Sequence, residues 1–222
     1  MDFAQIIFEA IKNNGVISVI IAGLVEQVIV PIPSPVIPMA AGFIFVPQDI
    51  TGFLEIFKTI FFKAALPFAV GSTIGSTIVY LASWYGGKWL INKFSKWLEI
   101  TWEDIEAVKQ RYFKGKAYDE VVIFVSRAIP IVPSVLFTAV CGAIRIKPVN
   151  FYLTTGLGFI VRGIILGWVG WQSGDALFSI ADGLDDVGTI MNILFVVASG
   201  AVFVWAYFKR EKWLENLRSK TD

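Results

Sequence analysis

Runs of apolar residues divide the chain into segments that are long enough to be membrane-spanning helices. Residues 16–46 are almost wholly apolar, and residues 64–87 carry no charge. Residues 149–174 are apolar apart from one arginine, and residues 187–208 are again free of charge. A helix rises about 1.5 Å per residue, so each such run can cross a hydrocarbon core about 30 Å thick. The pattern predicts an all-α, polytopic membrane protein.

Two further segments have the amphipathic pattern of helices at a membrane surface. Residues 2–14 place their apolar side chains on one helical face, and a glycine follows directly. Residues 88–98 combine an apolar face with lysines elsewhere, which is typical of a basic interfacial helix. Thr101 is followed by Glu103 and Asp104, an arrangement that predicts a new helix beginning with a capping box.

Composition supports the same class of protein and argues against several others. The 222 residues are 56% hydrophobic and 17% charged, whereas soluble domains are about 45–50% apolar and about a quarter charged. The net charge of +1 gives no reason to expect a nucleic-acid partner. The chain has no histidine and one cysteine, Cys141, so we expect no metal site and no cofactor. No nucleophile–base pair is recognisable, and we expect the protein not to be an enzyme.

Two apolar segments contain charges and prolines that an ordinary spanning helix would not carry. The segment 16–46 has Glu26, the segment 121–144 has Arg127, and a third charge, Arg162, follows later. Prolines interrupt the first two segments at Pro31, Pro33, Pro35, Pro130 and Pro133. Irregular backbone at membrane depth occurs where it is buried in protein or lines a wet cavity, and charges at that depth mark functional sites. We therefore predict two re-entrant helical hairpins whose charges face a polar cavity.

The two broken segments resemble each other when the chain is shifted by 100 residues, so that residues 26–44 fall on residues 126–144. Identical residues then pair as Ile29/Ile129, Pro33/Pro133, Ser34/Ser134, Gly42/Gly142 and Ile44/Ile144. After both segments, two glycines and an aromatic residue recur with one spacing: Gly75, Tyr80 and Gly86, then Gly163, Trp168 and Gly174. This self-similarity predicts two copies of one unit, a broken apolar segment followed by a glycine-rich helix.

Loop charges predict the orientation of these units. Residues 175–186 contain aspartates but no Lys or Arg, whereas residues 88–118 and the C-terminal tail hold most of the basic residues. The positive-inside rule places those basic segments in the cytoplasm. The two glycine-rich helices then run in opposite directions and the hairpins enter from opposite sides, as in inverted-repeat transporters. We predict one domain over 1–222: repeat 1 over about 16–87, a cytoplasmic amphipathic segment 88–118, repeat 2 over about 119–174 and a transmembrane helix 187–208.

Both hairpins resemble signature sequences of the DedA family, also called the SNARE-associated or VTT-domain family. PIPSPVIPMAAGF, which follows Glu26, resembles the first family hairpin, and FVSRAIPIVPSVLFTAVCGAIRI resembles the second. The resemblance covers about residues 10–208. It implies that Glu26 is the first membrane acid of the family and Arg127 its first essential arginine. Hairpin positions of the family fall on Pro33, Gly42, Pro130 and Gly142.

The chain departs from the family pattern at two positions. Pro35 stands where the family often has a second acid, and Pro133 stands where it often has a second arginine. Bacterial proteins of the family that this chain resembles are implicated in proton-linked flipping of polyprenyl phosphate or phospholipid. Eukaryotic VTT proteins resemble lipid scramblases. The resemblance therefore implies an anionic lipid as substrate. The missing second acid leaves proton coupling an open question.

Each candidate residue also has a purely structural interpretation. Glu26 handles protons or head groups, or it lies near a hairpin end and reaches the interface. Arg127 binds phosphate oxygens, or it forms an ion pair with Glu26 that joins the hairpins. Arg162 supplies the positive charge that position 133 lacks, or it extends to the cytoplasmic interface. Ser34 and Ser134 hydrogen-bond a phosphate or cap exposed backbone.

From the sequence we expect a lipid flippase or scramblase that moves anionic head groups, of a phospholipid or a polyprenyl phosphate, across the bilayer. We place it in the cytoplasmic membrane of a prokaryote with its C-terminus in the cytoplasm. A proton-coupled transporter of small solutes and a membrane assembly or scaffold protein are the alternatives. Small residues predict close helix packing and could support a homodimer; they are Gly71, Gly75, Gly156, Gly158, Gly163 and Gly167.

Overall fold

The computed structural model of the chain describes residues 3–28, 35–47, 49–93, 101–113, 115–130, 132 and 134–181. These residues form helices joined by turns, without a β-strand in any of these ranges, so the prediction of an all-α protein is confirmed. In chain order the elements are α1 (Phe3–Asn14), α2 (Val16–Val28), α3 (Val36–Phe45), α4 (Phe53–Thr59), a π-helical segment (Ile60–Ala65), α5 (Leu66–Lys93), α6 (Trp102–Tyr112), α7 (Lys116–Ala128), α8 (Ser134–Ala143) and α9 (Pro148–Ala181). The predicted C-terminal helix 187–208 lies outside the described residues, as do Pro31, Pro33, Ser34 and Pro133.

Two predicted helix boundaries are confirmed by the local backbone. Gly15 follows α1 with φ of +64°, a conformation that glycine adopts without strain. At the start of α6, the Thr101 hydroxyl accepts a hydrogen bond from the Asp104 N–H at 3.3 Å. The Asp104 carboxylate accepts one from the Thr101 N–H at 2.9 Å. These reciprocal bonds are the predicted capping box.

The helical run around the predicted span 64–87 is longer than the sequence indicated. It starts in α4 at Phe53, passes through the π-helical segment and continues in α5 to Lys93. Residues 47–63, for which the sequence predicts a mixed loop or a short helix, therefore include the short helix α4 and the start of the π-helical segment. At Gly87 the backbone leaves the helical region, with φ of 50° and ψ of −145°, so the chain bends where the predicted span ends.

Two helix pairs, α2/α3 and α7/α8, lie at the positions of the predicted hairpins, are called the first and second hairpin below, and pack crosswise on the two long helices, α5 and α9. In the first hairpin, α2 lies along α5 and α3 lies against α9. In the second hairpin, α7 lies along α9 and α8 lies against α5. Each long helix therefore packs against one helix from each hairpin. The first helix of the first hairpin and the second helix of the second hairpin pack on α5, and the other two pack on α9.

Glycines allow these helices to approach closely. A Cβ at Gly71 would overlap the carbonyl oxygen of Ile20 on α2, and a Cβ at Gly142 would overlap the carbonyl oxygen of Tyr80 on α5. The predicted packing role is confirmed for Gly71, Gly75, Gly158, Gly163 and Gly167, each of which faces a neighbouring element within 3.0 Å of an ideal Cβ. The same prediction is wrong for Gly156, because the nearest atom to its ideal Cβ is the Thr73 Oγ1 at 3.8 Å.

The outer faces of four helices are apolar. Exposed hydrophobic residues recur at the spacing of one helical face along α2, α5, α7 and α9. They are Ile17, Ile21, Val70, Ile74, Ile78, Leu81, Val121, Val125, Val149, Leu153, Leu157 and Ile165.

By length and composition, one helix in the described part of the chain, Pro148–Gly174, could cross a membrane. The second span, predicted over 64–87, does not meet the same criteria. It begins in the π-helical segment and falls largely in α5, whose buried side includes Ser72, Ser76 and Ser83.

Candidate functional site

Three charged residues predicted from the sequence are buried where the hairpins meet α9. Glu26 on α2 is 4% exposed, and Arg127 on α7 and Arg162 on α9 are both 0% exposed. The alternative in which Glu26 or Arg162 extends to a surface is therefore not what the structure shows. Burying a charge costs several kcal/mol unless other groups compensate, so the surroundings of each charge determine what the site can bind.

Arg127 lies at the end of α7 and binds the first turns of the next helix, α8. Its Nη1 donates to the carbonyl oxygen of Ser134, and its Nη2 donates to the Thr138 Oγ1 at 2.7 Å. The Thr138 hydroxyl in turn donates to the Ser134 carbonyl oxygen at 2.9 Å. Each terminal nitrogen of Arg127 thus donates one hydrogen bond within its own hairpin.

Arg162 lies on α9, which is not part of this hairpin, and its side chain contacts the hairpin. Its Nη2 donates to the carbonyl oxygen of Ile129 at 2.9 Å. Ile129 is the C-cap residue of α7, where carbonyl groups lack partners within the helix. The Arg162 Nε and Nη1 are buried without a hydrogen-bond partner, as is the Arg127 Nε.

The aromatic ring of Phe159 connects the two guanidinium groups. The Arg127 Cζ lies 5.5 Å from the centre of this ring, and the Arg162 Cζ lies 6.0 Å from it. Both distances are within the range of a cation–π attraction. The preceding residue is Gly158, where a Cβ would overlap the Cβ of Arg127, so the glycine allows α9 to come this close to α7.

Gln27 connects the acid to the second hairpin, and the sequence analysis missed it. Its side chain is buried, and its Nε2 donates to the Glu26 Oε1 at 3.2 Å. Its Oε1 accepts from the Ser76 hydroxyl at 3.3 Å and from the Ser134 hydroxyl at 3.2 Å. Gln27 is uncharged and was overlooked for that reason. The shift of 100 residues that pairs the hairpins places it on Arg127, and this correspondence could have identified it.

The three buried charges interact with one another by attraction in one pair and by repulsion in another. Glu26 attracts Arg162, whereas Arg127 and Arg162 repel each other. The other buried charge among the described residues, Asp104, is bound to Thr101 in the capping box. With Glu26 ionised, the site carries one positive charge in excess, and an anion would compensate it.

The remaining predicted residues have mainly structural surroundings. Pro35 immediately precedes α3 with φ of −71°, and Pro130 lies in the turn after α7. Gly42 contacts α9 and Gly142 contacts α5. Cys141 is a free, buried thiol in the core. Within the described ranges, no group of three or more His, Cys, Asp or Glu side chains is placed to hold a metal ion.

The fold and the site together define an all-helical protein with apolar outer faces around a buried, positively charged centre. A model of the VTT domain matches residues 31–172, which is more than half of the chain, and the chain belongs to this family. The resemblance to the DedA or VTT-domain family predicted from the two hairpins is thereby confirmed.

Curated bacterial proteins are similar to the chain over nearly its whole length. An "Alkaline phosphatase-like protein" of Lactococcus lactis subsp. lactis (strain IL1403) is 26% identical over 230 residues, which cover 98% of each chain. "Undecaprenyl phosphate transporter A" of Staphylococcus aureus (strain NCTC 8325 / PS 47) is 26% identical, covering 87% of this chain and 91% of the relative. The protein of the same name from Bacillus subtilis (strain 168) is 26% identical, covering 90% and 94%. No solved structure matches the chain.

Proposed function

We propose that this protein is an integral membrane transporter that moves the anionic head group of a phosphate-bearing lipid across the bilayer while the lipid tails stay in the hydrocarbon. The observation that carries the proposal is the pair of fully buried arginines, which leave the Arg127 Nε and the Arg162 Nε and Nη1 without acceptors. Buried donors without partners are costly, and the oxygens of a phosphate group could satisfy them.

The apolar outer faces support a membrane location for the same residues. A soluble monomer rarely exposes large apolar patches, whereas α2, α5, α7 and α9 each carry exposed aliphatic residues at helical spacing. Lipid chains would cover these faces. The buried charges would then lie inside the protein at membrane depth, where ionisable groups mark transport pathways.

The crosswise packing of the hairpins supports the inverted repeat. In an inverted repeat, a pseudo-two-fold axis in the membrane plane exchanges the two units. Exchange of α2 with α7, of α3 with α8 and of α5 with α9 converts the contacts of the first hairpin into those of the second. We propose one domain over 1–222 with two opposed re-entrant hairpins, and the cytoplasmic membrane of a prokaryote, with the C-terminus in the cytoplasm, as its location.

The proposed transport step uses charge compensation and changes no chemical bond. A phosphate head group enters the site and supplies acceptors for the unpartnered N–H groups of the arginines. Glu26 attracts Arg162 and therefore competes with the phosphate for this positive charge. This competition keeps the affinity low enough for the head group to leave on the other side. The names of the relatives from Staphylococcus aureus and Bacillus subtilis support undecaprenyl phosphate as the substrate to test first.

The test is head-group translocation in proteoliposomes with a fluorescent phospholipid in one set and a polyprenyl phosphate in another. Wild type is compared with Arg127→Gln, Glu26→Gln and the control Arg111→Gln, which neutralises an exposed arginine on α6. We expect translocation by the wild type and the control and its loss in the two site variants. A parallel series with a pH gradient determines whether transport is linked to protons.

Three outcomes would contradict the proposal. If folded wild type translocates neither lipid but takes up small anions, the protein is a solute transporter. If the site variants lose stability while the wild type shows no transport, the charges are structural, as in a scaffold protein. If the wild type releases phosphate from a phosphate monoester, the protein is a phosphatase.

A further inference from the structure

We propose that the two buried arginines have different tasks: Arg162 receives the phosphate group, and Arg127 holds the second hairpin in place. This inference rests on the proposed function and names the residue that recognises the anionic head group. The resemblance to the family assigns the essential role to Arg127. The hydrogen bonds of the structure distribute the roles differently.

Arg127 has the surroundings of a structural residue. Its Nη1 and Nη2 bind the Ser134 carbonyl oxygen and the Thr138 hydroxyl oxygen, both on α8. These contacts connect the C-terminal end of α7 to the first turns of α8 across the turn at Pro130. A ligand that replaced these two acceptors would have to break the contact between α7 and α8. Only the Arg127 Nε remains without an acceptor.

Arg162 has the surroundings of a binding residue. A hydrogen bond from its Nη2 to the Ile129 carbonyl oxygen fixes the direction of the guanidinium group. Its Nε carries one N–H and its Nη1 carries two, and neither nitrogen has an acceptor although the residue is fully buried. Such a guanidinium group is oriented and still free to donate several hydrogen bonds.

The neighbours of Arg162 indicate where the anion would lie. Phe159 lies within cation–π distance of both guanidinium groups, so the Arg127 Nε, which has no acceptor, belongs to the same cluster. The positive charges of the arginines repel each other, and an anion between them would remove that repulsion. A phosphate monoester presents three terminal oxygens, which suits donors on two arginines.

Glu26 completes the assignment because it acts on the arginine that has free donors. Its carboxylate attracts Arg162 and is itself held by the Gln27 amide at 3.2 Å. The acid therefore competes at the binding arginine and leaves the hairpin contacts of Arg127 intact. Loss of the Glu26 charge should tighten phosphate binding, whereas loss of the Arg162 charge should weaken it.

The experiment measures binding and stability of the full-length protein purified in detergent, without any transport step. The probes are farnesyl phosphate, inorganic phosphate and the uncharged farnesol, with affinity measured by titration. Thermal unfolding of each variant is recorded without ligand. The variants are Arg162→Gln, Arg162→Lys, Arg127→Gln and Glu26→Gln, with Arg111→Gln as the matched control on the exposed side of α6.

We expect Arg162→Gln to lower the affinity for farnesyl phosphate by roughly tenfold or more, since charge-assisted hydrogen bonds are lost. Its unfolding temperature without ligand should stay closer to that of the wild type than the unfolding temperature of Arg127→Gln does, because Arg162 donates one hydrogen bond to the protein and Arg127 donates two. Arg162→Lys should also bind less well, because an ammonium group lacks the planar fork. Arg127→Gln should lower the unfolding temperature, and Glu26→Gln should raise the affinity.

The binding measurements and the translocation measurements test this inference and the proposed function separately. Binding by the wild type without translocation would contradict the proposed function and leave the assignment of Arg162 standing. Translocation that survives in Arg162→Gln would contradict the assignment and leave the function standing. Wild-type affinity in Arg162→Gln, or wild type that binds farnesol as well as farnesyl phosphate, would also overturn the inference. Equal affinity for inorganic phosphate would identify free phosphate as the ligand, and a lipid-specific affinity would identify the head group.

Discussion

Gly42 of α3 lies directly against the backbone of Gly167 of α9, so closely that a Cβ on Gly42 would overlap the Gly167 carbonyl oxygen. Gly142, which is its equivalent after a shift of 100 residues, makes the same kind of contact with the carbonyl oxygen of Tyr80 on α5. Equivalent glycines in the two hairpins therefore bring each hairpin against a long helix.

The contact of Gly42 predicts a large effect for a small substitution. Gly42→Ala should separate α3 from α9 and lower the stability by about 1–3 kcal/mol, the usual cost of inserting a methyl group into a packed interface. The measurement is thermal unfolding in detergent. The matched control is Gly156→Ala on α9, where the added Cβ meets its nearest neighbour at 3.8 Å. Alanine there should leave stability unchanged or raise it by up to about 1 kcal/mol. Equal unfolding temperatures for the two variants would contradict the packing argument.

The bond between Arg127 and Thr138 predicts a second effect on stability. Thr138→Val keeps the shape of the side chain but removes the acceptor of the Arg127 Nη2. A hydrogen bond to a charged group contributes about 1.5–3 kcal/mol, so the unfolding free energy should fall by an amount of that order. Thr138→Ser keeps the hydroxyl group and should stay close to the wild type. Wild-type stability in Thr138→Val would show that the hydroxyl group does not stabilise the fold.

The sequence predicted the features that follow from strong local signals. Glu26, Arg127 and Arg162 stood out because a charge in an apolar segment is expensive, and the structure buries all three. Helix boundaries at Gly15 and Thr101 followed from a residue that tolerates positive φ and from a capping pattern. Each of these signals involves only residues that are near one another in the chain.

The contacts within the site could not be predicted in the same way. Gln27 and Ser134 are 107 positions apart, and nothing near either residue indicates the other. Phe159 is one of 19 phenylalanines, so only the packing of α9 against α7 distinguishes it. The π-helical segment also has no local sequence signal, although a Cβ added to Gly163 of α9 would lie 2.6 Å from the Cα of its Ala65. These features depend on tertiary packing, which composition and periodicity do not specify.

The capping box at the start of α6 gives a prediction outside the buried site. Thr101→Ala removes the hydroxyl group that accepts from the Asp104 N–H and donates to its carboxylate. Loss of such a cap costs about 1 kcal/mol. We expect faster amide hydrogen exchange in the first turn of α6, measured by mass spectrometry, while α5 and α9 are unaffected. Thr101→Ser should restore the protection, and unchanged exchange in Thr101→Ala would contradict a stabilising role for the cap.

The contacts of Gln27 predict that its replacement slows lipid translocation much more than it changes the affinity for the ligand. Its amide is held by the hydroxyl groups of Ser76 and Ser134, and it donates to Glu26, so it connects α2, α5 and the second hairpin. Gln27→Leu removes these connections but leaves every N–H group of Arg162 in place. The affinity for farnesyl phosphate should therefore change by less than about threefold, and lipid translocation should slow by at least roughly tenfold because the hairpins no longer move together.

The control for Gln27 is Gln110→Leu, which replaces an exposed glutamine on α6 and should change stability by less than about 0.5 kcal/mol. Unfolding of Gln27→Leu is measured alongside, since buried hydroxyl groups left without a partner cost about 1–3 kcal/mol. A parallel loss of affinity and transport would place Gln27 in the binding site itself. Wild-type transport in Gln27→Leu would mean that the hydrogen bonds between the hairpins only stabilise the fold, and that Glu26 acts on Arg162 without an intermediary.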